Sequence, residues 1–254
     1  MKASTLLGNK VLRTVLACLF WFLTWQGLSW WVGINLLLPG PATVGRTLVD
    51  LLGTTGFRAA TSFSLLGILA GFLAGVAAGS LLAWLTWASP LADAIFSPFL
   101  RLVRTAPVAS FIILALLWLT SRTVPMVIAA LMVIPILWSS TKTAIEETDR
   151  SLLEMARAYR FSRFDTFRLI YLPQILPQWT AACATAMGLA WKSGIAAEVI
   201  AQPRPAIGTS LYRARLLINT EELFAWTVLV ILLSFALERL FVRLMAGLGR
   251  RYAQ

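Results

Sequence analysis

Long apolar runs are the feature that most constrains what this chain can fold into. The ~30 Å hydrocarbon core of a bilayer needs about 20 apolar residues in a helix, and helices are required because unpaired backbone groups are costly in lipid. We therefore predict an all-α integral membrane protein of about six transmembrane helices, forming a single domain over residues 1–254. The predicted spans are Val11–Ile34, Ala59–Trp87, Phe99–Thr120, Thr123–Ser140, Tyr171–Ala201 and Leu223–Met245.

The composition excludes several other classes of protein. Of the 254 residues, 59% are hydrophobic and 13% are charged, whereas soluble domains carry about 25% charged residues. The net charge of +11 does not indicate nucleic-acid binding, because the basic residues lie between and beside the apolar runs. The chain contains no histidine, the commonest metal ligand and general base. We predict no metal site and no catalytic residue.

The basic residues predict the orientation of the chain in the membrane. The first run is too long for a signal-peptide core and is predicted to remain as a membrane span. If the N-terminus is cytoplasmic, most of the 22 lysines and arginines fall on the cytoplasmic side, as the positive-inside rule requires. Both termini are therefore predicted to be cytoplasmic.

Four glycines at intervals of four residues lie on one face of the second span. Gly67, Gly71, Gly75 and Gly79 form a small-residue stripe of the kind that lets two helices approach closely in lipid. We expect this stripe to pack against another helix of the same chain rather than to form a dimer seam.

The loop Thr141–Ile170 is too polar to cross a bilayer and too long for a turn. It contains good helix formers, and Ser151 followed by Glu154 fits a capping box, which predicts a short helix around Ser151–Tyr159. From composition alone, the favoured interpretation of this helix is an amphipathic segment lying on the membrane surface.

Seven residues in and after this loop favour a more specific interpretation. They follow the spacing E-A-A-x3-G-x9-I-x-L-P and resemble the coupling loop of permeases of ATP-binding cassette (ABC) importers. In that family, the loop forms a short helix that docks into a cytoplasmic ATPase. The residues at the motif positions are Glu154, Met155, Ala156, Arg160, Ile170, Leu172 and Pro173.

Two of these residues depart from the family pattern. Met155 replaces an alanine, which a helix tolerates. Arg160 replaces a glycine that would end the helix at a positive φ. Because a Cβ is unfavourable there, we expect either that the helix continues through Arg160 or that the bend is made in another way.

The resemblance covers about residues 59–245 and is closest to the nitrate/sulfonate/taurine branch of the type I importer permeases. It implies a second copy of this permease, two ATPase subunits and an extracytoplasmic substrate-binding protein. The sequence lacks the G-x-x-x-x-G-K-[ST] phosphate-binding motif, so ATP and Mg²⁺ are expected on the partner ATPase. The implied solute is small and anionic; a thiamine-precursor-like solute is the alternative, and a secondary transporter or channel is a rival function.

Two groups of residues are further candidates for the function. Ionisable residues inside a membrane are costly and are often functional, so the predicted fifth span supplies candidates for the translocation path: Trp191, Lys192, Ser193 and Glu198. The predicted external segment Gln202–Glu222 supplies candidates for binding-protein docking: Arg204, Arg213 and Arg215.

Overall fold

A computed structural model describes residues 10–252, and every regular element in this range is a helix. The chain forms two compact units, one comprising residues up to 58 together with 210–230, and the other comprising 59–209 and the residues from 231 onwards. Lys2, counted among the predicted cytoplasmic cations, lies outside the described residues. The helices are α1 (Lys10–Val32), α2 (Pro41–Leu52), α3 (Thr55–Ala88), α4 (Pro90–Thr105), α5 (Val108–Ala115), α6 (Val124–Glu146), α7 (Arg150–Ala158), α8 (Arg163–Thr166), α9 (Leu172–Ala201), α10 (Ile207–Leu216) and α11 (Thr220–Tyr252).

Helices α1, α3 and α6 are each long and apolar enough to cross a membrane. The pair α4 and α5 meets the same test together but is bent by 107°. Helices α9 and α11 contain 30 and 33 residues, which at ~1.5 Å per residue exceeds the thickness of a bilayer core. Five of the predicted spans each coincide with one helix, although the helices of the fourth and sixth spans end six and seven residues later than predicted. The count of six crossings remains a prediction.

The predicted third span, Phe99–Thr120, is not one straight helix. The chain turns at Ala106, whose backbone is extended (φ −76°, ψ 147°), because a following proline disfavours the helical conformation. Pro107 is the N-cap of α5, which has only eight residues and is too short to cross a bilayer alone. The fourth predicted span also continues as helix past Ser140 to Glu146.

The glycine stripe of α3 packs against α6 within the same chain, which confirms the expected intramolecular contact. A Cβ added at Gly71 would overlap the Met126 carbonyl oxygen. At Gly75 it would lie 2.7 Å from Val133 Cβ, and at Gly79 it would lie 2.7 Å from the Ile134 carbonyl oxygen. At Gly67, a Cβ would meet nothing within 4 Å, so the contact begins one turn further along the helix. We name this contact the glycine seam.

One apolar cluster in the core of the second unit is assembled from four helices. Val103 of α4 and Ile112 of α5 pack with Ile128 and Met132 of α6 and with Ala197 of α9. The first unit is held by aromatic stacking, with ring centroids 5.2 Å apart for Phe57 and Trp226 and 6.1 Å apart for Trp25 and Phe224.

Candidate functional site

The predicted coupling helix is present as α7, within one residue of the expected boundaries, but its N-terminal cap is not Ser151. The helix begins at Arg150 and is capped by Asp149, whose Oδ1 accepts hydrogen bonds from the Ser151 N–H and Oγ, both at 2.8 Å. A carboxylate is as good an N-cap as serine and also suits the positive end of the helix dipole. The Ser151 hydroxyl, followed by its N–H, lowers the pKa of Asp149 below its ordinary value of 3.8.

Arg160 ends α7 in the way that the motif glycine would, so both alternatives expected from the sequence are wrong. Its φ is +54°. The N–H of Phe161 donates to the carbonyl of Ala156 at 2.9 Å, and the N–H of Arg160 donates to that of Arg157 at 3.1 Å. These two hydrogen bonds form the Schellman motif. They hold the arginine in a conformation that costs a residue with a Cβ about 1–2 kcal/mol.

The motif residues of α7 lie on opposite faces of the helix. Glu154 and Met155 are exposed, and they share the outer surface with Leu152 and Tyr159, the latter 75% exposed. Ala156 is only 2% exposed. Its small side chain therefore allows close packing inside the protomer.

The second half of the segment connects α7 to α9. Ser162 caps α8 by accepting a hydrogen bond from the Asp165 N–H at 3.1 Å. A π-helical turn then carries Ile170, which is buried. Leu172 and Pro173 begin α9, which follows the π-helical turn without a break in the helical backbone. We name residues 149–173 the coupling segment.

The start of the coupling segment is also bonded directly to α9. The N–H of Asp149 donates to the Gln174 side-chain oxygen at 2.9 Å. This hydrogen bond joins residues 25 positions apart in sequence. It holds the first residue of the coupling segment beside the residue that directly follows its end.

Glu198 is fully buried, with 0% exposure, inside the second unit. Its Oε2 accepts hydrogen bonds from Ser64 Oγ and from the Gly208 N–H, both at 2.9 Å. Ser64 Oγ in turn accepts from the Ile207 N–H at 3.0 Å. Glu198 Oε1 has no hydrogen-bond partner within the described part of the chain. We name these four residues the Glu198 network; it joins α3, α9 and the start of α10.

Only one of the four predicted path residues lies on the surface of the protomer. Trp191, Ser193 and Glu198 are buried within the protomer, and their assignment to the path stays a prediction. Lys192 is exposed. It belongs to a stripe of exposed residues that are mostly small and recur every four or seven positions along α9: Pro177, Ala181, Thr185, Lys192, Ala196 and Ile200.

The predicted external segment contains a helix, α10, which was not predicted from the sequence. Arg204 precedes α10, while Arg213 and Arg215 lie in its last turn, and all three are exposed. Glu222 accepts hydrogen bonds from Asn219 Nδ2 and Trp226 Nε1. Helix α10 ends in a second Schellman motif, in which Ile218 has a φ of +53°. Leu216, Leu217 and Ile218 are exposed apolar residues beside the arginines.

Residues 67–254 match the model of a known family, the binding-protein-dependent transport system inner membrane component. The match includes the coupling segment and α9. The chain belongs to this family. As a member, it is a multi-pass permease of the inner membrane and the transport subunit of an ABC importer, which works with an ATPase and a binding protein.

Two bacterial transport permeases are similar to this chain along most of its length. The taurine transport system permease protein TauC of Escherichia coli (strain K12) is 24% identical over 221 residues, covering 82% of this chain and 80% of the relative. The aliphatic sulfonates transport permease protein SsuC of Bacillus subtilis (strain 168) is 26% identical over 211 residues, covering 82% and 75%. These matches confirm the predicted branch.

Solved structures confirm the type I importer permease fold. A chain of the MetNI methionine ABC transporter in an inward-facing conformation superposes with a TM-score of 0.65 at 14% identity, covering 76% of this permease and 95% of that chain. A chain of a bacterial alginate ABC transporter covers 95% of this permease and 94% of that chain, with a TM-score of 0.57 at 16% identity.

Proposed function

We propose that this permease imports a small anionic solute of the sulfonate type along a path between two copies of the chain, and that Lys192 lines this path. The observation that carries the proposal is the exposure of Lys192 on α9, between neighbours that are buried. The names of the relatives, which refer to taurine and aliphatic sulfonates, support the same class of solute.

A lysine exposed in the middle of a membrane helix needs an aqueous or protein environment. Facing lipid, the ammonium costs about 2.5–3.5 kcal/mol on insertion scales. A two-fold axis passing close to Lys192 would relieve this cost, because a symmetric pair of chains encloses a hydrated path between identical surfaces. The small residues Ala181, Thr185 and Ala196 on the same stripe leave room for such a path.

The coupling segment is proposed to dock into a separate ATPase through the outer face of α7. That face presents the apolar side chains of Leu152, Met155 and Tyr159 together with the carboxylate of Glu154. The apolar side chains would supply the buried contact, and the single charge would fix the position of the helix on the ATPase. ATP and Mg²⁺ belong to the ATPase, and this chain itself carries out no catalysis. Both termini would then be cytoplasmic, on the same side as the coupling segment.

The external segment is proposed to receive the substrate-binding protein. Arg213 and Arg215 would steer an acidic surface of that protein at low ionic strength. The exposed apolar residues Leu216, Leu217 and Ile218 would form the buried centre of the contact, since interface cores are depleted of charge.

Uptake measurements on the reconstituted complex test the role of Lys192. Lys192→Met removes the charge and keeps the length, and it should slow ATP-driven uptake of radiolabelled taurine by about tenfold, equivalent to about 1.4 kcal/mol of barrier. Lys192→Arg keeps the charge and should retain most of the uptake. Unchanged uptake by Lys192→Met would overturn the path role. Uptake of a neutral pyrimidine instead of taurine would favour the thiamine-precursor alternative.

Copurification of the ATPase tests the docking face. Glu154→Arg should greatly reduce the amount of ATPase retained by the tagged permease. Glu147→Arg makes the same charge change at an exposed position before α7 and should leave retention unaltered. Equal retention by the two variants would contradict docking through Glu154.

A further inference from the structure

A pocket lies on the inner side of the coupling segment, away from the outer face of α7. Its volume is about 580 Å³, within the range of about 300–1,000 Å³ typical of small-ligand sites. The floor includes Leu153 and the buried Ala156. Because Leu152, Met155 and Tyr159 point outward while Ala156 faces the pocket, a partner bound to the outer face of α7 would leave the pocket free.

One wall of the pocket is an aromatic cluster at the ends of two membrane helices. Trp84 and Trp87 lie in the last turns of α3, and Tyr171 immediately precedes α9. The ring centroid of Trp84 lies 5.6 Å from that of Tyr171 and 5.4 Å from that of Phe167. Tryptophan and tyrosine concentrate at the headgroup level of a bilayer, so the pocket opens where lipid headgroups lie.

The pocket also carries positive charge that is not compensated by a carboxylate. Arg157 and Arg163 both line the pocket, which contains no carboxylate among its lining residues. Across the described residues, the ion pairs are those of Lys142 with Asp93 and Glu146, so neither arginine is neutralised. Arginine binds phosphate oxygens through several donors held in a fixed plane.

We propose that this pocket binds the headgroup of an anionic glycerophospholipid. Arg157 and Arg163 bind the phosphate, and the apolar aromatic wall packs against the glycerol and the first acyl carbons. A zwitterionic lipid is disfavoured because its ammonium group would be placed beside two guanidinium groups. Basic pockets at the cytoplasmic ends of membrane helices suit anionic headgroups for the same reason. The bound lipid would connect the coupling helix to the membrane.

Lipid binding to the purified full-length permease in detergent tests this site. The probes are dioctanoyl phosphatidylglycerol, dioctanoyl phosphatidylcholine and inorganic phosphate, and the readout is bound lipid per protomer by native mass spectrometry. The wild type should bind the anionic lipid roughly tenfold more tightly than the zwitterionic one, because two cations contribute. Inorganic phosphate should not compete at equal concentration.

A matched pair of double variants separates the pocket from general surface charge. Arg157→Gln with Arg163→Gln should remove the preference for the anionic lipid. Arg150→Gln with Arg168→Gln removes the same charge from the coupling segment outside the pocket and should retain the preference. Equal loss in both pairs would assign the effect to diffuse charge and overturn the proposal. Displacement of the lipid by added ATPase would instead assign the pocket to that protein and would also overturn it.

A wild-type experiment keeps the proposal falsifiable if the pocket variant does not fold. A photoactivatable phosphatidylglycerol should crosslink to peptides containing Trp84 and Trp87 or residues 157–171. Crosslinks confined to other peptides would exclude this pocket as the lipid site.

Discussion

The Glu198 network and the coupling segment are stabilised in opposite ways. In the network, Ser64 bonds to Glu198 across 134 residues of sequence and to Ile207 across 143. In the coupling segment, most hydrogen bonds link residues two to five positions apart, such as Ser151 to Asp149. The network is buried and the segment is largely exposed.

This difference predicts how the two regions respond to change. A buried group that loses its partner pays the full desolvation cost, because no water replaces the partner. An exposed local bond is replaced by water, so its loss is small and affects only its own helix. The network should therefore govern global stability, and the coupling segment should govern local order.

Gly208→Ala should have the largest effect. A Cβ at this position would overlap Glu198 Cβ and lie 2.7 Å from the Val199 backbone nitrogen, and backbone atoms cannot move aside. The expected loss is about 3 kcal/mol of stability, the upper range for overpacking, measured as thermal unfolding of the purified permease.

Gly188→Ala is the control for that substitution. It adds the same methyl group on α9, where nothing lies within 4 Å, and it should stabilise the helix slightly, by about 0.5–1 kcal/mol. Similar unfolding temperatures for the two variants would contradict the tight contact at Gly208.

Arg160→Gly should have a smaller effect of opposite sign. Glycine adopts the positive φ of +54° without the Cβ cost, so α7 should gain about 1 kcal/mol of local stability. The measurement is amide hydrogen exchange across α7, which should become slower. Ala158→Gly places glycine at an ordinary helical position and should make the same exchange faster. Faster exchange in both variants would show that Arg160 is not strained.

Asp149→Ala should have the smallest effect, confined to the first turn of α7. Loss of the cap should speed hydrogen exchange at Ser151 and Leu152, while Asp149→Asn should preserve most of the protection. Because its folded-state pKa is lowered, the stabilisation by Asp149 is present above pH 3.8 and is lost as the pH falls through the folded-state value. Exchange in the wild type should therefore become faster in acid, relative to Asp149→Ala, and approach that of Asp149→Asn, which carries a neutral cap. A pH-independent difference between the wild type and Asp149→Ala would contradict the role of the carboxylate.

The two regions also differ in how far the sequence predicted them. The position of α7 was predictable because its determinants are local: helix formers, a capping residue and the motif spacing. Even there, the cap was assigned to Ser151 instead of Asp149, since both residue types suit that position. The conformation of Arg160 was not predictable, because it depends on hydrogen bonds that form only once the helix has ended.

The surroundings of Glu198 could not be read from the sequence. Its partners come from α3 and from the start of α10, and no local pattern links Ser64 or Gly208 to a glutamate so distant in sequence. From the sequence, an ionisable residue in an apolar run predicts a place on the path; the hydrogen bonds that Glu198 makes are visible only in the folded chain. For the third predicted span, Pro107 was visible in the sequence, but the size of the bend depends on packing of α4 and α5 in the core.

The glycine seam constrains how the permease changes conformation during transport. Helices slide past one another where long side chains can repack, and α3 has no side chain at Gly71, Gly75 or Gly79. A displacement along the axis by one residue, ~1.5 Å, would drive the neighbouring side chains into the carbonyl oxygens of Met126 and Ile134. Helices α3 and α6 are therefore expected to move as one rigid body during transport. The hinges of the transport cycle would then lie at the ends of this helix pair or outside it.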